Sequence, residues 1–121
     1  MNPAVQAVHF EEVEAIPLPS GSWSRMVLSE ANIVGIQNSL GYSIFQPGTI
    51  TDPVSHEVEE LAFVVAGNGE LGLEDGVLPF RAGHALHIPA RVWHSVANTG
   101  KEEMVMVFTF PYPDYPPTER R

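Results

Sequence analysis

The sequence predicts an all-β chain folded as a small antiparallel β-barrel or jelly roll, and three observations carry this expectation. Helical periodicity is nearly absent, short runs rich in valine, isoleucine, leucine and aromatics recur, and glycine and proline punctuate them. At 121 residues the chain has the length of a single domain with one hydrophobic core. Many short strands at close spacing in so short a chain favour a small barrel.

Taken in order, the expected strands are 24–28, 32–37, 42–46, 61–66, 70–74, 77–80, 85–88, 95–98 and 104–110. Turn signals separate them at Pro47-Gly48, Gly67-Asn68-Gly69, Asp75-Gly76, Ala82-Gly83 and Asn98-Thr99-Gly100. In the last run Met104, Met106, Phe108 and Phe110 alternate with Val105, Val107 and Thr109, so both faces are apolar and the strand is sandwiched. Its methionines read as packing rather than as ligands. The ending PYPDYPPTERR is too rich in proline to extend a central strand and is expected to be an extended tail lying on the barrel or on a neighbouring subunit.

Composition excludes several functions. A formal charge of −9 disfavours phosphate backbones and anionic lipid, so neither nucleic acid nor a membrane is an expected partner. No apolar run approaches the ~18 residues a spanning helix needs, and the N-terminal segment does not read as a secretory signal, so a cytoplasmic location is expected. With no cysteine, any metal must be held by histidine and carboxylate.

The five histidines are His9, His56, His84, His87 and His94. His56 and Glu60 are four apart; on a continuous strand their backbones would stand ~13 Å apart, too far for both to reach one ion at ~2 Å. The chain is therefore expected to bend at Glu57 to Glu59. Pro89 ends a strand, which places His94 beside a turn, where functional side chains concentrate. His84 and His87 fall on opposite faces of a strand, so at most one faces inward. Ser55 beside His56 is no catalytic pair, because neighbours on an extended chain point apart. Gly67-Asn68-Gly69 lacks the following helix of a dinucleotide loop and reads as a hairpin turn.

Two spacings resemble the cupin family. Gly48 is followed by five residues, then Val54 where the family has its first histidine, then His56 at the second, Glu60 at the glutamate and Gly67 at the closing glycine. In the second motif Gly83, Pro89, His94 and Asn98 fall in register, with Arg91 in place of an internal glycine. On this resemblance residues 1–40 supply N-terminal strands, 41–110 the cupin core and 111–121 a Pro-rich tail, all in one domain.

The resemblance implies a divalent metal inside the barrel, with His56, Glu60 and His94 as ligands. Valine cannot coordinate, so the usual set shrinks to two histidines and one carboxylate, a set known for non-haem Fe(II). The implied activity is that of a metal-dependent enzyme on a small organic substrate, with oxygenase chemistry and Fe(II) favoured over Mn, Ni or Zn. Metal-dependent isomerase, decarboxylase or lyase chemistry and a metal-free small-molecule-binding module are the alternatives. His87 is a candidate base behind the ligands, and Tyr42, Phe45, Gln46, Phe63 and Trp93 are candidate pocket residues. A homodimer is implied by the family's habit of pairing.

Overall fold

The computed structural model describes residues 4–121 and is built from eleven short strands. They are β1 (Ile16–Pro17), β2 (Trp23–Leu28), β3 (Ser39–Phe45), β4 (Val54–His56), β5 (Glu60–Ala66), β6 (Asn68–Leu73), β7 (Gly76–Arg81), β8 (Ala85–Ile88), β9 (Ser95–Asn98), β10 (Met104–Phe110) and β11 (Thr118–Arg120). Two single turns of 3-10 helix, Phe10–Glu12 and Pro19–Gly21, interrupt the N-terminal segment. Among the described residues no helix is long and apolar enough to cross a membrane.

One sheet has the order β1-β2-β3-β10-β5-β8, a second β7-β6-β9, and β11 pairs with β4. Every pairing is antiparallel. Two isolated bridges, Ile50 to Ala97 and Val54 to His94, tie the chain before β5 to the second layer. The layers enclose a core of Phe45, Val64, Leu71, Phe80, Ile88 and the inward residues of β10.

Register explains how this core leaves room inside. Phe108 of β10 lies opposite Gly41 of β3, Met106 opposite Ser43 and Phe110 opposite Ser39. Large side chains on one strand thus face small ones on its neighbour. A Cβ on Gly41 would overlap the Phe108 ring, so glycine there is required by the ring's position. Gly67 is fixed differently: it has φ of +84°, and a Cβ would approach the Glu103 carbonyl and Met104 Cα to 2.8 Å. Asn98 is also structural. It is buried, and its amide donates to the carbonyls of Phe45 at 2.8 Å and Glu102 at 2.9 Å while its oxygen accepts from Gly100.

Two expectations about elements need correction: the strand at 32–37, and the hairpin turn at Gly67-Asn68-Gly69, which instead carries the chain from β5 into β6 of the other sheet. Residues 32–37 form turns rather than a strand, because the Asn32 side chain bonds the Ser29 N–H at 3.0 Å and the Val27 carbonyl at 2.7 Å, offering the backbone a local alternative to a ladder. The C-terminal tail stays out of the central sheet, and its end forms β11 on this chain's own β4. Prolines hold the tail down through their carbonyls, Pro113 accepting from the Glu30 N–H at 2.7 Å and Pro117 from the Glu57 N–H at 3.0 Å.

Candidate metal centre

Three separate passes of the chain build the site. Val54 and His94 exchange both backbone hydrogen bonds at 2.9 Å, which zips β4 to the turn preceding β9. His56 lies two residues beyond Val54, hence on the same face of β4. The Arg91 N–H donates to the His56 carbonyl at 2.7 Å and anchors the other end of that contact. Arg91 keeps the positive φ, 64°, that the motif's glycine would supply. After His56 the chain bends through Glu57 and Val58, so that Glu60, the first residue of β5, turns back toward the histidines.

The outcome is a tight group. One carboxylate oxygen of Glu60 stands 3.4 Å from Nε2 of His56 and 3.5 Å from Nε2 of His94. The two imidazole rings are 5.1 Å apart at 63°. All three side chains are largely withdrawn from solvent. Two donors each ~2.1 Å from one ion stand ~3.0–3.4 Å apart, so these spacings suit a shared cation.

Proton bookkeeping strengthens the fit. Nδ1 of His94 is 2.9 Å from the Val92 carbonyl, which only accepts, so Nδ1 carries the hydrogen. Nδ1 of His56 is 2.7 Å from the Thr118 hydroxyl, whose single proton is donated to the Pro116 carbonyl at 2.8 Å. A hydroxyl that donates there accepts from Nδ1–H. In their neutral forms both rings turn an Nε2 lone pair toward a carboxylate that also only accepts. Three buried lone pairs facing one another need a positive charge between them, either a proton or a metal ion.

The titration behaviour says the same. Burial alone would raise the Glu60 carboxyl, but hydrogen bonds from His56 and His94 and their charge outweigh it and hold the group below 4.5. Burial alone would lower His94, yet the bond to Glu60, the bond to the Val92 carbonyl and the carboxylate charge raise it above 6.5. Without metal, both shifts favour a proton in the place between His94 and Glu60 that a metal would take.

The trio lies in the wall of a cavity of about 520 Å³. Phe45, Met106, Phe108, Phe110 and Tyr115 give it an apolar, aromatic lining, and Val54 occupies the position where the motif has its first histidine. Ser24, Ser43, Asp52 and Arg120 add polar groups. Burial outweighs the opposing charge of Arg120 and, with a smaller push from the Glu60 charge, raises the Tyr115 phenol above 10.0, so it remains a neutral donor at physiological pH.

Of the other candidates, the structure brings only Phe45 to this cavity. His87 is on the outer face of β8 and bonds Glu59 at 2.9 Å, because Leu86 and Ile88 take the inward positions. It cannot back up the ligands. Nor does either member of the His84/His87 pair face inward: His84 sits in an exposed turn and accepts from the Arg81 N–H. Tyr42 stacks on Phe10 at 4.8 Å outside the sheet. Phe63 is 48% exposed on the outer face of β5, and the Gln46 amide reaches away to Glu103 at 2.7 Å. Trp93 lies under the Arg121 guanidinium at 4.0 Å, beside a smaller hollow. The β10 run was detectable as a sandwiched apolar strand, and burial shows which of its faces is inward; Tyr115, Thr118 and Arg120 lie in the proline-rich tail, where no local signal marks them.

Comparisons with known proteins agree with this architecture. The cupin domain family model matches residues 41–110. The chain is 33% identical over 85 residues to polyketide synthase CurC of Streptomyces cyaneus, covering 69% of this chain and 55% of that protein. It is likewise 33% identical over 85 residues to protein SchB of Streptomyces halstedii, covering 69% and 62%. The match thus spans little more than half the length of these relatives. Among solved structures, the polyketide cyclase RemF from Streptomyces resistomycificus superposes with a TM-score of 0.80 at 21% identity, over 97% of this chain and 85% of that one. An oxalate decarboxylase from Lactobacillus farciminis gives 0.81 at 20% identity, over 93% and 34%. At these identities the structural likeness speaks for the fold.

Proposed function

This chain belongs to the cupin family, and on that premise we propose that it is a metal-dependent enzyme binding a polyketide-type substrate, a chain with closely spaced carbonyl oxygens, and promoting its cyclisation. The observation that carries the reading is the convergence of His56 Nε2, His94 Nε2 and the Glu60 carboxylate in the wall of a large aromatic cavity. A divalent ion held by these residues would supply Lewis acidity, polarising a carbonyl so that the adjacent C–H becomes more acidic. The rest falls to the protein. Phe45, Phe108 and Phe110 exclude water from a bound carbon skeleton, and the neutral Tyr115 phenol is available to donate to an oxygen. A cavity of about 520 Å³ is within the range for drug-sized ligands and far exceeds what oxalate needs. The name of the Streptomyces cyaneus relative, polyketide synthase CurC, supports a polyketide substrate.

The two-histidine, one-carboxylate set also suits Fe(II) with oxygen, and an oxygenase is the second reading it favours. We take the homodimer as part of the proposal, supported by the apolar outer row of β5, where Leu61, Phe63 and Val65 are about half exposed. Sedimentation analysis tests it, a monomer at all concentrations refuting it.

The central test is elemental analysis of protein purified without chelator, followed by titration with a 1,3-diketone. Stoichiometric metal in the parent and in His84→Ala, its loss in His94→Ala, and a metal-dependent absorbance change with the diketone are expected. Absence of metal that titration cannot restore would sink the reading. Oxygen uptake during turnover with Fe(II) would favour the oxygenase over the cyclase.

A further inference from the structure

Thr118 lies outside the segment matched by the cupin family model, in the proline-rich end of the chain. Even so, it stands directly against a proposed ligand. The register of β11 on β4 sets Thr118 opposite His56, and the hydroxyl reaches Nδ1 of that ring at 2.7 Å. The hydroxyl's own hydrogen goes to the buried carbonyl side of Pro116 at 2.8 Å. Tyr115 and Phe110 hold the ring edge-on, with centroids 5.5 Å and 5.0 Å away.

Two groups compete for the one proton of a neutral His56. Glu60, 3.4 Å from Nε2, draws it to the face where a metal would bind. Thr118 draws it to the opposite nitrogen, because its oxygen has a free lone pair and no proton left to give. We infer that Thr118 is a positioning residue that fixes His56 as the Nδ1–H tautomer and so keeps the Nε2 lone pair available to a metal. The C-terminal segment is then part of the ligand shell, and the inference rests on the reading of His56 as a ligand. Partners of this kind typically change metal affinity by about 10–100-fold when lost.

The test has two arms. In the first, nitrogen-15 NMR of the metal-free full chain, at a pH where the spectrum itself shows the His56 ring neutral, reports its tautomer. The parent is expected to show Nδ1–H and Thr118→Val to show Nε2–H; Nε2–H in the parent overturns the inference without recourse to any variant. In the second, calorimetric titration with Zn(II) and with Mn(II) is expected to show Thr118→Val about 10–100-fold weaker and Thr118→Ser, which keeps the hydroxyl, close to the parent. Equal affinity in Thr118→Val and the parent overturns the inference. If the parent takes up neither metal, the metal reading fails, and the tautomer measurement still decides the role of Thr118.

Discussion

Replacing Glu60 by glutamine removes one charge and almost no volume, so its effects separate charge from packing. At an effective dielectric of ~20, unit charges at the observed 3.4 Å spacing interact by about 5 kcal/mol. A divalent ion feels the carboxylate more strongly still, while the amide oxygen remains as a neutral ligand and returns part of the loss. We therefore expect metal binding to weaken by about 4 kcal/mol, about a thousandfold. Without metal the variant should remain folded, because the amide N–H can donate to an Nε2 lone pair that the carboxylate could satisfy only through an added proton. Competition against a fluorescent chelator, with Zn(II) and Mn(II) at neutral pH, measures the first effect, and thermal unfolding of the metal-free protein the second. A Glu60→Gln protein that binds within about threefold of the parent would refute the electrostatic argument.

Further outcomes follow from the same geometry. In the metal-free parent, the stability from Glu60 is present above 4.5 and lost as pH falls through its lowered value, while that from His94 is present below 6.5 and lost as pH rises through its raised value. Denaturant midpoints should be highest between about pH 4.5 and 6.5, and a profile that climbs steadily to pH 8 contradicts the pairing. Val54→His should tighten metal binding by adding a donor beside His94 and lower turnover by filling a position open to substrate; an unchanged affinity in the titration would show that position 54 does not reach the ion. Gly41→Ala should destabilise by about 1–3 kcal/mol through overlap with Phe108, read from urea midpoints, and a neutral result would mean that the ring moves freely.

The barrel was legible because its information is local and repeated. The apolar run at 104–110 marked β10, and Asp75-Gly76 marked the β6–β7 hairpin, whereas the turns at Gly67-Asn68-Gly69, Ala82-Gly83 and Asn98-Thr99-Gly100 join strands of different sheets. The bend between His56 and Glu60 followed from reach alone. What escaped the sequence depends on distant partners. β4 has only three residues, Val54–His56, too few for any periodicity, and exists because β11 and His94 pair with it. The side of an aromatic residue was equally hidden: β5 is apolar on both faces, so only its register with β10 and β8 decides that Phe63 points out and Val64 in. Thr118 acts on a histidine 62 positions away. The three candidate ligands were visible through the fixed spacing of their motifs.

The strand β10 gives this protein an uneven freedom to change. Met106, Phe108 and Phe110 form both the cavity wall and the hydrophobic core, so altering the pocket there also disturbs packing. Ile16, Asp52 and Arg120 touch the same cavity but lie outside that buried cluster. Evolution or engineering can therefore retune ligand preference at the rim with little loss of stability, whereas new specificity reached through β10 calls for compensating repacking across the sheet.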